Sequence, residues 1–108
     1  MLNPARFDQA RVFAALGDGT RLELVARLSH HGDRSIAQLT NGLQLTRQAV
    51  TKHLRVLEDA EVVTRRRVGR ESRFAIQKHT LAGAQDYLAR AAAQWDEVIG
   101  RIRASVEK

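Results

Sequence analysis

A mainly α-helical domain of about five helices with one small two-stranded β-hairpin is the fold the sequence predicts, and three observations predict it. Apolar residues recur at steps of three and four along most of the chain. Capping residues and glycines divide those stretches into separate helices. One segment alone, residues 62–76, switches to the period-two alternation of strands, around a turn at Gly69. At 108 residues a single domain spanning 1–108 is expected, long enough for a modest core and small enough to gain from dimerisation.

Pro4 can open the first helix, in which Phe7, Ala10, Val12 or Phe13 and Leu16 form an apolar stripe ended by Gly17. Asp18 can cap the second, residues 20–29, with Leu22, Leu24, Val25 and Leu28 as its apolar side. Residues 30–34 read as a polar loop. Ser35 and Gln38 have capping-box spacing, and Ile36 and Leu39 mark the buried side of a short helix. Asn41-Gly42 could signal a hairpin, but neither flank alternates, so Gly42 is read as that helix's C-cap. Residues 43–45 make a tight connection, and Thr46 caps a helix reaching residue 60. The last helix, residues 81–106, places Leu81, Ala84, Leu88, Ala91 or Ala92, Trp95, Val98 or Ile99, Ile102 and Val106 on one stripe. Its length of about 39 Å exceeds what a small core can cover, so it is expected to seek a partner.

The helix over residues 46–60 carries the chemistry. Val50, Leu54 and Leu57 share a stripe that must be buried, and the opposite face presents Arg47, Gln48, Thr51, Lys52 and Arg55. Arg and Gln can each make two hydrogen bonds to a guanine or adenine edge, and Lys and Thr reach phosphates or single base atoms. A short helix, a turn and this helix make a helix-turn-helix. In the hairpin, Phe74 and Ile76 alternate with Arg73 and Ala75, so one face packs inward. Arg65, Arg66, Arg67, Arg70 and Arg73 then form a basic wing suited to the DNA backbone, and the whole reads as a winged helix-turn-helix with double-stranded DNA as partner.

Residues 13–76 resemble the ArsR/SmtB family of bacterial winged-helix repressors. The likeness rests on Phe13-Ala14-Ala15-Leu16-Gly17-Asp18-Gly19-Thr20-Arg21-Leu22, on Ala49-Val50-Thr51-Lys52-His53-Leu54-Arg55-Val56-Leu57 and on Val68-Gly69-Arg70-Glu71. The resemblance implies a homodimer joined through the terminal helices, with Phe7, Leu88, Ala92, Trp95, Ile99 and Ile102 as the expected interface. It also implies an inverted-repeat operator. Thr46, Arg47, Gln48, Thr51, Lys52 and Arg55 would enter the major groove, His53 would bond a phosphate or neighbouring backbone, and Arg70 would reach the minor groove. Two positions depart from the family pattern. Gly19 replaces the proline at the start of the second helix, although Asp18 retains the cap. Glu61 replaces the glycine after the recognition helix, so either the exit geometry differs or Glu61 carries roughly 1 to 2 kcal/mol of left-handed strain.

Composition narrows the function classes. Of the net charge of +6, most lies in residues 46–79, which hold 9 Lys or Arg against 4 Asp or Glu, while both flanks are balanced to within one charge. A positive patch confined to the reading elements points to nucleic acid. No apolar run approaches a membrane span and the first residues lack a signal-peptide core, so a cytoplasmic protein with no membrane partner is expected. The chain has no cysteine, which removes thiolate metal sites and disulfide switching. The family's other metal site uses His and carboxylates on the last helix, where this chain has Asp86, Asp96, Glu97 and Glu107 but no His. His30 and His31 read as a surface pair in a loop and His79 as part of the turn before the last helix, so no metal ligand or cofactor is assigned. No nucleophile elbow, phosphate-binding loop or metalloprotease spacing is present, and no catalytic residue is assigned. The expectation is therefore a sequence-specific, homodimeric transcriptional repressor. A ligand- or metal-gated repressor, answering to an inducer the sequence does not name, is the first alternative; a non-specific nucleic-acid binder is the second.

Overall fold

The computed structural model describes residues 4–107, with side chains from residue 9 onward. Five helices and three strands follow in the order α1 (Pro4–Leu16), α2 (Gly19–His31), β1 (Arg34–Ser35), α3 (Ile36–Thr40), α4 (Arg47–Asp59), β2 (Val63–Val68), β3 (Glu71–Ile76) and α5 (Lys78–Val106). The local signals operate as chemistry predicts. The Asp18 carboxylate accepts from the Arg21 amide at 3.0 Å. Ser35 Oγ accepts from the Gln38 amide at 3.2 Å while Gln38 Oε1 accepts from the Ser35 amide at 3.0 Å, closing the capping box. Thr46 Oγ1 accepts from the Ala49 amide at 3.1 Å. Each satisfies an N–H group that a helix start would leave unpaired.

Four details differ from the sequence reading. The wing belongs to a three-stranded antiparallel sheet of order β1-β3-β2, in which Arg34 and Ser35 face Phe74 and Arg73. A two-residue strand has no alternation to read; its pairing with β3 creates it. Helix α2 continues through His30 and His31, which stand in its last turn rather than in a loop, and ends where Gly32 takes φ 75° and its N–H donates to the Leu28 carbonyl. Helix α5 starts at Lys78, so His79 is in its first turn. Leu22, expected on the inner side of α2, is exposed, and Leu24 and Leu28 carry the burial there.

Val50, Leu54 and Leu57 of α4 are each 0% exposed and meet Leu24 and Leu28 of α2, Leu39 of α3, Val63 of β2 and Phe74 of β3 in one core. Helix α4 thus has one side sealed and the other free. Its exit is a Schellman motif: the Val62 amide donates to the Leu57 carbonyl at 2.9 Å, the Glu61 amide donates to the Glu58 carbonyl at 2.9 Å, and Val62 packs with Leu57 in the core. Glu61 occupies the left-handed position with φ 61°, and no other non-glycine among the described residues has a positive φ. The side chain, not the hydrogen bonding, makes this exit costly. Glu61→Gly is therefore expected to raise Tm by a few degrees at fixed protein concentration, because strain relief of roughly 1 to 2 kcal/mol exceeds the added unfolded-state entropy of glycine. A fall in Tm would mean that Glu61 has a compensating contact in the folded protein.

Candidate nucleic-acid interface

The free side of α4 presents Arg47, Gln48, Lys52 and Arg55 to solvent, with Thr51 half-buried between them. It does not stand alone. Ile36 and Ala37 of α3, the five α4 side chains, and Arg70, Glu71 and Ser72 of the hairpin line one open groove. Four cations, Arg47, Lys52, Arg55 and Arg70, border it against the single carboxylate of Glu71. Its position relative to the core is fixed from below. Arg27 on α2 donates to the Leu39 carbonyl at 2.9 Å and also to that of Asn41, holding the end of α3, and Gly42 with φ 81° turns the chain toward Thr46.

The hydroxyls are partly committed. Thr46 Oγ1 accepts within its cap, which leaves its hydrogen free to donate outward. Thr51 Oγ1 donates to the Arg47 carbonyl at 2.7 Å, so toward an outside partner it offers an acceptor and a methyl group, not a phosphate donor. His53 is placed away from the groove. Its Nδ1 lies 3.2 Å from Arg21 Nη1 and 3.7 Å from the Asp18 carboxylate, and Arg21 Nε also donates to the Ala15 carbonyl at 2.6 Å. His53, expected to bond a phosphate or neighbouring backbone, stands here in a junction that ties α4 to the N-terminus of α2 and the C-terminus of α1. The Asp18 carboxyl is held below its ordinary range, first by the Arg21 amide and then by the charges of Arg21 and His53.

The wing arginines divide into two kinds. Cross-strand register puts Arg65 opposite buried Phe74, on the face that turns to the body, and Arg65 pairs with Glu58 of α4 at 3.5 Å. Arg66 lies opposite Arg73 on the other face, and both bind Asp33 in the connection between α2 and β1. Arg73 is heavily engaged: Nε donates to the Asp33 carboxylate, Nη1 to Glu71 at 3.3 Å and Nη2 to the Asp33 carbonyl at 3.4 Å. Its hydrogen bond is also the first cause holding the Asp33 carboxyl below its ordinary range, and the guanidinium is raised in turn. Arg67 and Arg70 have no ion pair among the described residues. Asp33 is the residue that sequence reading passed over; it sits 33 and 40 positions from its partners.

Helix α5 runs 29 residues, about 44 Å. Leu81 and Ala84 pack on the core, and the Tyr87 ring meets Phe13 at a centroid distance of 5.6 Å. From Gln85 to Glu107 every residue but Val98 is exposed. Leu88, Ala92, Trp95, Ile99 and Ile102 are all among them, with Trp95 63% exposed. The expected interface residue Phe7 lies outside the described side chains. Among the described residues no group of three or more His, Cys, Asp or Glu is positioned to hold a metal, and no helix is long and apolar enough to cross a membrane.

A family model described as a helix-turn-helix domain matches residues 16–66. The uncharacterized HTH-type transcriptional regulator YuzN of Bacillus subtilis is 43% identical over 65 residues, covering 55% of this chain and 71% of that protein. Among solved structures, an ArsR-like transcriptional regulator from Rhodococcus sp. RHA1 superposes with a TM-score of 0.78 at 36% identity, over 91% of this chain and 92% of that one. A homodimeric winged helix-turn-helix DNA-binding domain from Mycobacterium bovis gives 0.61 at 27% identity, over 89% of this chain and 82% of its own.

Proposed function

Because the chain belongs to the ArsR family of winged helix-turn-helix DNA-binding transcriptional regulators, we propose that it acts as a homodimeric repressor of an inverted-repeat operator. The carrying observation is the groove on α4, with four cations against one carboxylate and a helix sealed on its other side. Arg47 and Gln48, in the first turn of α4, read base edges in the major groove, and Lys52 and Arg55 extend the contact along it. Thr46 donates to a phosphate, and the Thr51 methyl suits a thymine methyl. Arg67 and Arg70 hold the flanking backbone, with Arg70 nearest the groove and able to enter the minor groove. Residues 1–108 act as one DNA-binding domain whose terminal helices join two copies, a reading supported by the uncovered apolar stripe of α5 and by the homodimeric relative. Two copies related by a two-fold axis then meet two half-sites, and occupation of a promoter excludes polymerase. The protein works in the cytoplasm without cofactor.

Selection of bound sequences from a pool of random duplex DNA tests this reading. The expected product is a pair of inverted half-sites whose centres lie about one helical turn apart or a multiple of it. A pool that returns unenriched would instead favour a general nucleic-acid binder. Regulation by metal is expected to be absent, since the chain has no cysteine and the sole adjacent histidine pair, His30 and His31, has no third ligand grouped with it among the described residues. Affinity for the selected duplex should be unchanged by chelator or by added zinc or nickel. A tenfold change with stoichiometric metal bound would overturn that expectation.

A further inference from the structure

We propose that Arg66 and Arg73 form a phosphodiester-binding site on the wing that the protein's own Asp33 carboxylate holds closed, so that Asp33 restrains sequence-independent binding to DNA. The inference rests on the DNA-binding reading and adds an internal competitor to it. Arg66 and Arg73 are directly opposite on neighbouring strands, an arrangement that repels unless an anion lies between them. Asp33 supplies that anion, its Oδ1 accepting from Arg73 Nε and its Oδ2 from Arg66 Nη2 at 2.9 Å. One oxygen for each guanidinium is also what the two non-bridging oxygens of a DNA phosphate offer.

The two arms differ in how readily they open. Arg73 has 26% of its side chain exposed and three groups engaged, so it stays with the protein. Arg66 has 70% of its side chain exposed and a single partner, so its pair is screened by water and exchanges easily. The site is also well placed. Glu71, which Arg73 Nη1 meets at 3.3 Å, lines the same groove as Arg47 and Arg70, and Asp33, Arg66 and Arg73 stand just outside that lining. A phosphate arriving at this rim meets a spent arginine and a carboxylate in place of a free cation. Base reading on α4 is untouched, whereas the part of the affinity common to all sequences is lowered.

Asp33→Asn tests this, with random-sequence duplex as the probe. The variant should bind random duplex roughly three- to tenfold more tightly at 0.1 M salt, with the salt dependence steeper by about one counterion. In an Arg66→Ala background the gain should fall by at least half, because the released cation is then missing. Weaker or unchanged binding by Asp33→Asn would overturn the proposal, as would a gain of equal size with and without Arg66. Should the Asn variant fail to fold, side-chain NMR on the native protein decides: the Arg66 guanidinium resonances should shift on adding random duplex, and their constancy would overturn the proposal. Native protein that binds no duplex at low salt would sink the DNA-binding reading itself, an outcome distinct from all of these.

Discussion

Trp95→Glu is expected to split the dimer and to cost operator affinity a factor of about 10² to 10⁴. In one chain Trp95 is 63% exposed, and the residues around it, 85–107, are uncovered but for Val98. Leu88, Ala92, Trp95, Ile99, Ile102 and Val106 are spaced alternately by four and three, the pattern with which paired helices form a continuous apolar seam. A carboxylate at position 95 would enter that seam twice by symmetry, desolvated and unpaired each time. Each monomer would keep its groove, since α4 is buried against a core that Trp95 does not join. It could grip only one half-site, and the gain from linking two contacts would vanish. Sedimentation and operator binding should therefore fail together, while Trp95→Phe preserves both. A Trp95→Glu protein that sediments as a monomer yet binds the full operator normally would refute dimeric recognition. One that remains dimeric would move the interface away from this stretch of α5.

The second large effect concerns α4. Arg47→Ala or Gln48→Ala should weaken operator binding by about 1 to 3 kcal/mol, a loss of roughly five- to 150-fold, and leave random-duplex binding far less affected. Both side chains are exposed in the first turn of α4 and border the groove, so truncation removes a base contact without opening the core. Arg70→Ala should behave differently. A backbone contact is lost on every sequence, and a shallower salt dependence is its mark. If the α4 variants lost equally on operator and random duplex, these side chains would be holding phosphates instead of reading bases.

What could be read from the chain was what local chemistry decides. Asp18, Ser35 with Gln38, and Thr46 mark helix starts through contacts three residues long, and Val50, Leu54 and Leu57 fix the buried side of α4 by spacing alone. The groove follows from that face, and Gly69 with φ 61° sits at the hairpin turn, as the alternation implied. What could not be read depends on distant partners. Strand β1 exists because β3 lies beside it, and Asp33 gains its role from arginines brought close only by the folded sheet. The run Arg65, Arg66 and Arg67 looked uniform as sequence, yet strand alternation turns Arg65 toward Glu58 and Arg66 toward Asp33. His53 follows the same logic. Its place on α4 was legible, but its engagement by Arg21 required knowing that α2 packs against that helix.

Sequence reading by α4 from within a dimer is the expected behaviour. Its most direct measurement is the ratio of affinities for the selected operator duplex and for a scrambled duplex of equal composition, at a single physiological salt concentration and with chelator present. A preference of about 10³ or more for the operator is predicted, the range of specific over non-specific binding by regulators of this size. A ratio near one would contradict the account, because affinity would then come from the +6 charge alone.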